Sequence, residues 1–166
     1  KNENGETEFL VKWTNLDYSY TTWETESSLG CKRLIDAYFK NNKVPSLEWQ
    51  FKPMHPSPNS FKKITELKKS KAGLKMRPYQ LDGLNFLVNS WFKRNNAILA
   101  DEMGLGKTLQ SISFLDYLYC NRGVHGPFLI VGPLSTLPHW EREIEEWTDM
   151  PVLTFNGGKT DRKFMK

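Results

Sequence analysis

The chain holds 166 residues, 39% of them hydrophobic and 25% charged, with 6 Trp and 10 Phe, a globular composition that excludes disordered and fibrous classes. That length suits one medium domain or two small ones, and the apolar runs, such as residues 128–131, are far too short to span a membrane. The net charge of +4 is mild, and two cysteines without Cys-x-x-Cys or Cys/His spacing argue against a disulfide framework or a zinc site.

The chain begins without Met, as expected of a segment excised from a longer protein. Residues 1–8 are polar and acidic, unlike a signal or transit peptide. Residues 8–14, with Phe9, Leu10, Val11 and Trp13, are rich in β-formers and read as a strand. A turn-prone patch follows, and residues 21–24 read as a second short strand, giving a hairpin. Ser27 or Ser28 is placed to cap a helix over residues 30–42, with Leu34, Ile35, Tyr38 and Phe39 on one stripe. A hairpin and one helix bury little on their own, so a partner strand before residue 1 is expected. Residues 52–60 contain three prolines and read as a linker. Over residues 62–77, six lysines and Arg77 face a single acid, Glu66. Such a run either neutralises DNA phosphates or is simply a solvated linker.

At Pro78 the pattern turns helical. Proline suits a first turn, and Leu84, Leu87, Val88 and Trp91 recur at helical spacing. Residues 97–100 then read as a buried strand, 107–119 as a helix and 128–131 as a strand. Residues 135–147 read as a helix and 152–155 as a further strand. Apolar runs alternating with helices imply an α/β fold with a parallel sheet.

The chemistry concentrates in Asp101, Glu102, Met103, Gly104, Leu105, Gly106, Lys107, Thr108 and Leu109, where a strand enters a glycine-containing loop that opens a helix. Glycines let backbone N–H groups fold around phosphate oxygens, and the helix N-terminus adds unpaired donors and partial positive charge. In such a loop the lysine, Lys107, reaches the outer phosphates, and Thr108 puts its hydroxyl on Mg²⁺. Asp101 stands where the usual pattern has its first glycine. Asp101-Glu102 also mimics the acidic pair that holds Mg²⁺, but that pair belongs on a neighbouring strand end. No further Asp-Glu pair follows it. The hydrolytic acid is therefore expected outside residues 1–166, and the chain alone is expected to be inactive.

The run Arg77-Pro78-Tyr79-Gln80-Leu81-Asp82-Gly83-Leu84-Asn85-Phe86-Leu87, followed by Asp-Glu-Met-Gly-Leu-Gly-Lys-Thr, resembles the Swi/Snf-type branch of superfamily 2 helicase-like ATPases. In that family an Asp precedes the loop, which accounts for Asp101. The resemblance implies a partial RecA-like lobe, with Gln80 bonding adenine and Arg77 and Tyr79 shaping its pocket. Read from the residue alone, a glutamine in a first helical turn is more often solvated. Residues 131–140 resemble the family's next motif, which lies along DNA, with Ser135 and Thr136 as contact candidates. The stripe Leu137, Trp140, Ile144 and Trp147 makes Trp140 a core residue, and His139 reads as a surface histidine. Residues 155–158 resemble a weaker motif, with Gly157 a further DNA candidate.

The front half, with Phe9 to Trp13, then Thr22-Trp23-Glu24 and the stripe Leu34, Ile35, Tyr38, Phe39, resembles a small α+β chromodomain lacking its first strand. Together the halves resemble the chromodomain–helicase–DNA-binding family. The expected organisation is a partial chromodomain over 1–51, a linker over 52–72 and the start of the first ATPase lobe over 73–166. Methyl-lysine readers use an aromatic cage because ring faces attract the cation. Trp13 sits at one cage position, but Leu16 stands where another aromatic is expected, so Trp13 and Trp23 also read as packing residues. The resemblance implies ATP and Mg²⁺ as cofactors, double-stranded DNA and nucleosomes as partners, and a nuclear location. It leaves three roles in play. They are a DNA-translocating remodeller, a module reading a histone tail such as that of H3, and a segment gating the motor.

Overall fold

In a computed structural model of the chain, the described residues are 1, 4–42, 55–66 and 75–164. They fall into two compact units, one drawn from Lys1–Ser46 and Thr154–Lys166, the other from Leu47–Leu153.

The first unit is built on a hairpin. Strand β1 (Glu8–Val11) pairs antiparallel with β2 (Thr22–Thr25), Leu10 opposite Trp23 and Val11 opposite Thr22. Asn15, at φ 63°, and a 3₁₀ turn over Tyr18–Tyr20 carry the connection. The helix expected over 30–42 forms over residues 32–41, with Cys31 and neither Ser27 nor Ser28 at its N-cap position, and a separate short helix precedes it. That helix, α1 (Glu26–Leu29), is capped by Thr25, whose hydroxyl accepts from the Ser28 N–H at 3.3 Å. Gly30, in the left-handed region at φ 58°, ends α1, and α2 (Lys32–Asn41) begins two residues later. Ile35 is the buried member of the α2 stripe, while Leu34, Tyr38 and Phe39 stay largely exposed. Phe9 docks β1 on α2 through edge-on contacts with Tyr38 and Phe39, at centroid distances of 5.8 and 5.7 Å.

The second unit packs around helix α3 (Pro78–Phe92), which starts with proline in its first turn. Leu84, Val88 and Phe92 recur on one face and are fully buried, with Phe61, Ile64, Met76, Phe114 and Tyr117 packed against them. Phe61 and Ile64 come from the segment expected to be linker. Phe61 meets Phe92 at 5.6 Å. The buried Asn85 side chain accepts from the Ile64 N–H at 2.7 Å and donates to its carbonyl at 2.9 Å, closing the backbone of Ile64 as a neighbouring strand would. Residues 67–74, which hold three of the lysines, lie outside the described residues, as do residues 43–54. Helix α4 (Lys107–Arg122) ends at left-handed Gly123 and lies against α3. Helix α5 (Leu137–Trp147) packs on α4 and buries Ile144, with Leu137, Trp140 and Trp147 half-buried. A final short helix, α6 (Lys159–Phe164), belongs to the first unit and packs on its 3₁₀ turn.

Among the described residues, the sheet is the β1–β2 hairpin alone. The expected strands at 97–100, 128–131 and 152–155 carry no ladder. Their outward side chains show the consequence. Ile98 is 84%, Leu129 89% and Val131 86% exposed. A parallel strand gains its stability from neighbours on its edges and helices on its faces, and these segments have no ladder partner among the described residues. No helix of the described residues is long and apolar enough to cross a membrane.

Candidate functional site

Within the second unit, the chain from residue 101 to the start of α4 forms a loop that the N-terminus of α3 closes on one side. Gly104 and Gly106 adopt left-handed conformations, φ 85° and 77°, which a side chain would strain. A Cβ on Gly104 would meet nothing within 4 Å, so that face of the loop is open. At Gly106 a Cβ would instead run into the Gln80 amide, 2.5 Å away, so this glycine is required by space as well as by φ. Gly106 is also the residue before α4, and no side chain caps it. The first N–H groups of a helix have no intrahelical acceptor. Here they lie beside the glycine loop.

The side chains converge from three places. Lys107, in the first turn of α4, folds back so that Nζ donates to the carbonyls of Asp101 at 2.6 Å and Glu102 at 2.8 Å. Thr108 follows it, partly buried, and Leu109 anchors the turn in the core. Gln80 is buried, not solvated: its Oε1 accepts from the Arg77 N–H at 2.9 Å and its Nε2 donates to the Leu105 carbonyl at 3.3 Å. The glutamine therefore both closes the first turn of α3 and ties it to the loop. Arg77 and Tyr79 lie exposed on either side of Pro78. Glu102 and Met103 are exposed at the tip, Met103 at 95%.

An open glycine, helix-terminal donors that no side chain caps, one lysine and one adjacent hydroxyl make a set whose chemistry fits a polyphosphate. Helix-terminal N–H groups attract phosphate oxygens in general, and a threonine hydroxyl is a hard oxygen of the kind that Mg²⁺ prefers.

Two residues of the site escape the sequence reading. Gln110 is fully buried, and its Nε2 donates to Asp101 Oδ2 at 3.1 Å and reaches the Leu105 carbonyl at 3.4 Å. Gly83, in the middle of α3, faces it, and a Cβ there would overlap Gln110 Oε1. The available signals were a polar residue between the buried Leu109 and Ile112, and a glycine inside a helical pattern.

The other candidates lie on other segments of the chain. Ser135 is exposed inside a 3₁₀ turn, Leu134–Thr136, and does not cap α5. The cap position falls to Thr136, whose hydroxyl is spent on the Pro133 carbonyl at 2.8 Å. His139 is at the surface beside Arg142, 3.1 Å away. Gly157 belongs to the first unit, at φ 123°, with its N–H on the Asn156 side chain. Trp13 and Leu16 are half-exposed at the hairpin turn, and the Trp13 indole donates to the Thr22 hydroxyl at 2.9 Å. The nearby Tyr18 ring is covered by this chain's own Lys12, whose ammonium is 5.3 Å from its centroid.

Two family models match the chain. The SNF2-related domain matches residues 79–166, and the Chromo (CHRromatin Organisation MOdifier) domain matches residues 1–41. Chromodomain-helicase-DNA-binding protein 7 of Gallus gallus is 40% identical over 163 residues, covering 97% of this chain and 5% of that protein. Chromodomain-helicase-DNA-binding protein 6 of Homo sapiens is 42% identical over 167 residues, 99% of this chain and 6% of that protein. Chromodomain-helicase-DNA-binding protein 8 of Xenopus tropicalis is 39% identical over 166 residues, 99% of this chain and 7% of that protein. The chain thus spans a small fraction of these relatives, while the matches cover nearly all of it. It belongs to the SNF2-related domain family and, within it, to the chromodomain–helicase–DNA-binding group.

Proposed function

We propose that this chain supplies the ATP-gripping part of a DNA-translocating chromatin remodeller, together with a chromodomain-type module that faces chromatin. The observation that carries the reading is the bond from Gln80 to the Leu105 carbonyl, which joins the α3 N-terminus to the glycine loop and Lys107 in one site. In this reading Gln80, Arg77 and Tyr79 form the adenine side. Residues 101–109 form the phosphate side, with Lys107 on the outer phosphates and Thr108 on Mg²⁺. ATP supplies the phosphoryl transfer to water that drives translocation. The protein groups stabilise charge on the phosphates and hold them in place.

The family matches at residues 1–41 and 79–166 support a division into two parts with a connecting stretch. A partial chromodomain spans 1–51, a connecting stretch 52–72, and the first part of a RecA-like lobe with a parallel sheet 73–166. The exposed apolar segments at 97–100 and 128–131 are the strands of that sheet. Double-stranded DNA and nucleosomes are the partners, met through Ser135, Thr136 and Gly157, and the location is nuclear. The relatives' printed names pair a chromodomain with a helicase and DNA binding, which supports this assignment. A methyl-lysine reading of the histone H3 tail through Trp13 and Leu16 is the weaker function, because Leu16 stands where a cage would need an aromatic ring.

The test is DNA-stimulated ATP turnover by the full-length protein. Lys107→Ala is expected to lower it about a hundredfold or more while leaving the fold intact. Equal turnover in the two proteins would remove the motor reading.

A further inference from the structure

Gln110 carries no role in the site as assigned so far, and its surroundings are unusual. Its side chain is fully buried, and its carbonyl oxygen has no hydrogen-bond partner. Buried polar atoms are nearly always paired, so one left unpaired calls for a reason. The orientation of the amide is fixed by its neighbours. Asp101 Oδ2 and the Leu105 carbonyl are both acceptors, so the NH₂ end must face them and the oxygen must turn toward α3. Gly83 makes that possible, since any side chain there would overlap the oxygen.

The outcome is that two amides from two helices, Gln80 and Gln110, meet on one carbonyl, at 3.3 and 3.4 Å. The Leu105–Gly106 peptide is trans, so its N–H points away from its carbonyl. Holding the Leu105 oxygen against the two amides therefore sends the Gly106 N–H the opposite way, away from them.

We propose that Gln110 is a positioning residue, seated in the notch left by Gly83, that aims the Gly106 N–H at the nucleotide's phosphates. The inference rests on the nucleotide reading above. In that reading Gln80 sits on the adenine side, whereas Gln110 is fully buried and bonded to both Asp101 and Leu105. The tie to Asp101 fixes the N-terminal side of the loop with the same amide, so one side chain spans both ends of the turn.

The test uses the full-length protein and the variant Gln110→Met, which keeps length and volume, loses both contacts and removes the unpaired oxygen. Its melting temperature is expected to equal or exceed that of wild type. Its KM for ATP is expected to rise about tenfold, with kcat within about threefold, because phosphate binding is weakened without loss of the hydrolytic groups. Gly83→Ala, which displaces the amide from outside the loop, is expected to raise KM similarly, and the double variant to be no worse than the larger single effect. A KM within twofold of wild type in Gln110→Met overturns the proposal. So does a KM rise accompanied by a clear fall in melting temperature, which assigns Gln110 a purely structural role. Binding of fluorescent ADP to Lys107→Ala separates the two levels. If Lys107→Ala binds as wild type, the nucleotide reading itself fails. If it loses binding while Gln110→Met keeps it, only the present inference fails.

Discussion

The two units spend their apolar side chains differently. In the unit around α3, Leu84, Val88, Phe92 and Ile112 are fully buried, and the glycine loop hangs from the helices that bury them. In the hairpin unit Ile35 is the buried hydrophobic residue, while Leu10, Trp23, Leu34 and Tyr38 remain largely exposed. A site that must hold several N–H groups in fixed directions needs supports that do not move, and the helix pair provides them. The hairpin is held by the Phe9 contacts with Tyr38 and Phe39, a capping threonine and a chain of hydrogen bonds from the Trp13 indole through the Thr22 hydroxyl to the Glu24 carboxylate. It is a surface-rich module, and the difference suits a part that meets partners more than one that does chemistry.

The contrast can be broken by mutation. Phe92→Ala is expected to cost about 3–5 kcal/mol in chemical denaturation, since it empties a fully buried site. Asn85→Ala comes next, at about 1–3 kcal/mol, because it strands the Ile64 backbone groups that Asn85 pairs. Phe9→Ala is expected to cost about 1–2 kcal/mol, its ring being only partly covered. Thr25→Ala, the loss of one helix cap, is expected to cost about 1 kcal/mol. A Phe9→Ala loss as large as that of Phe92→Ala would erase the distinction between the units.

Helix α3 was legible because proline starts it and its apolar residues repeat at helical spacing. The loop before α4 was legible as a turn because Gly104 and Gly106 stand where the chain enters a helix. The hairpin was legible from its β-formers. What escaped depended on contacts distant in sequence. Asn85 turns residues 61–66 from linker into packed structure, and it acts across 21 residues. Gln110 and Gly83 make sense only once α3 and α4 lie side by side. The short helix Glu26–Leu29, ended by left-handed Gly30, was not legible because it lies before the stripe from Leu34 to Phe39 and carries no apolar repeat of its own. Strand expectations at 97–100 and 128–131 followed apolar runs, but a run does not say which neighbour pairs with it.

The central claim is that nucleotide is held by the glycine loop and the α3 N-terminus and not by the hairpin. Hydrogen–deuterium exchange of the full-length protein, with and without ATP and Mg²⁺, tests it most directly. The expected result is slower exchange at residues 77–82 and 101–110 on adding nucleotide, with residues 8–25 unchanged. Unchanged exchange at 101–110, or protection confined to 8–25, would contradict it.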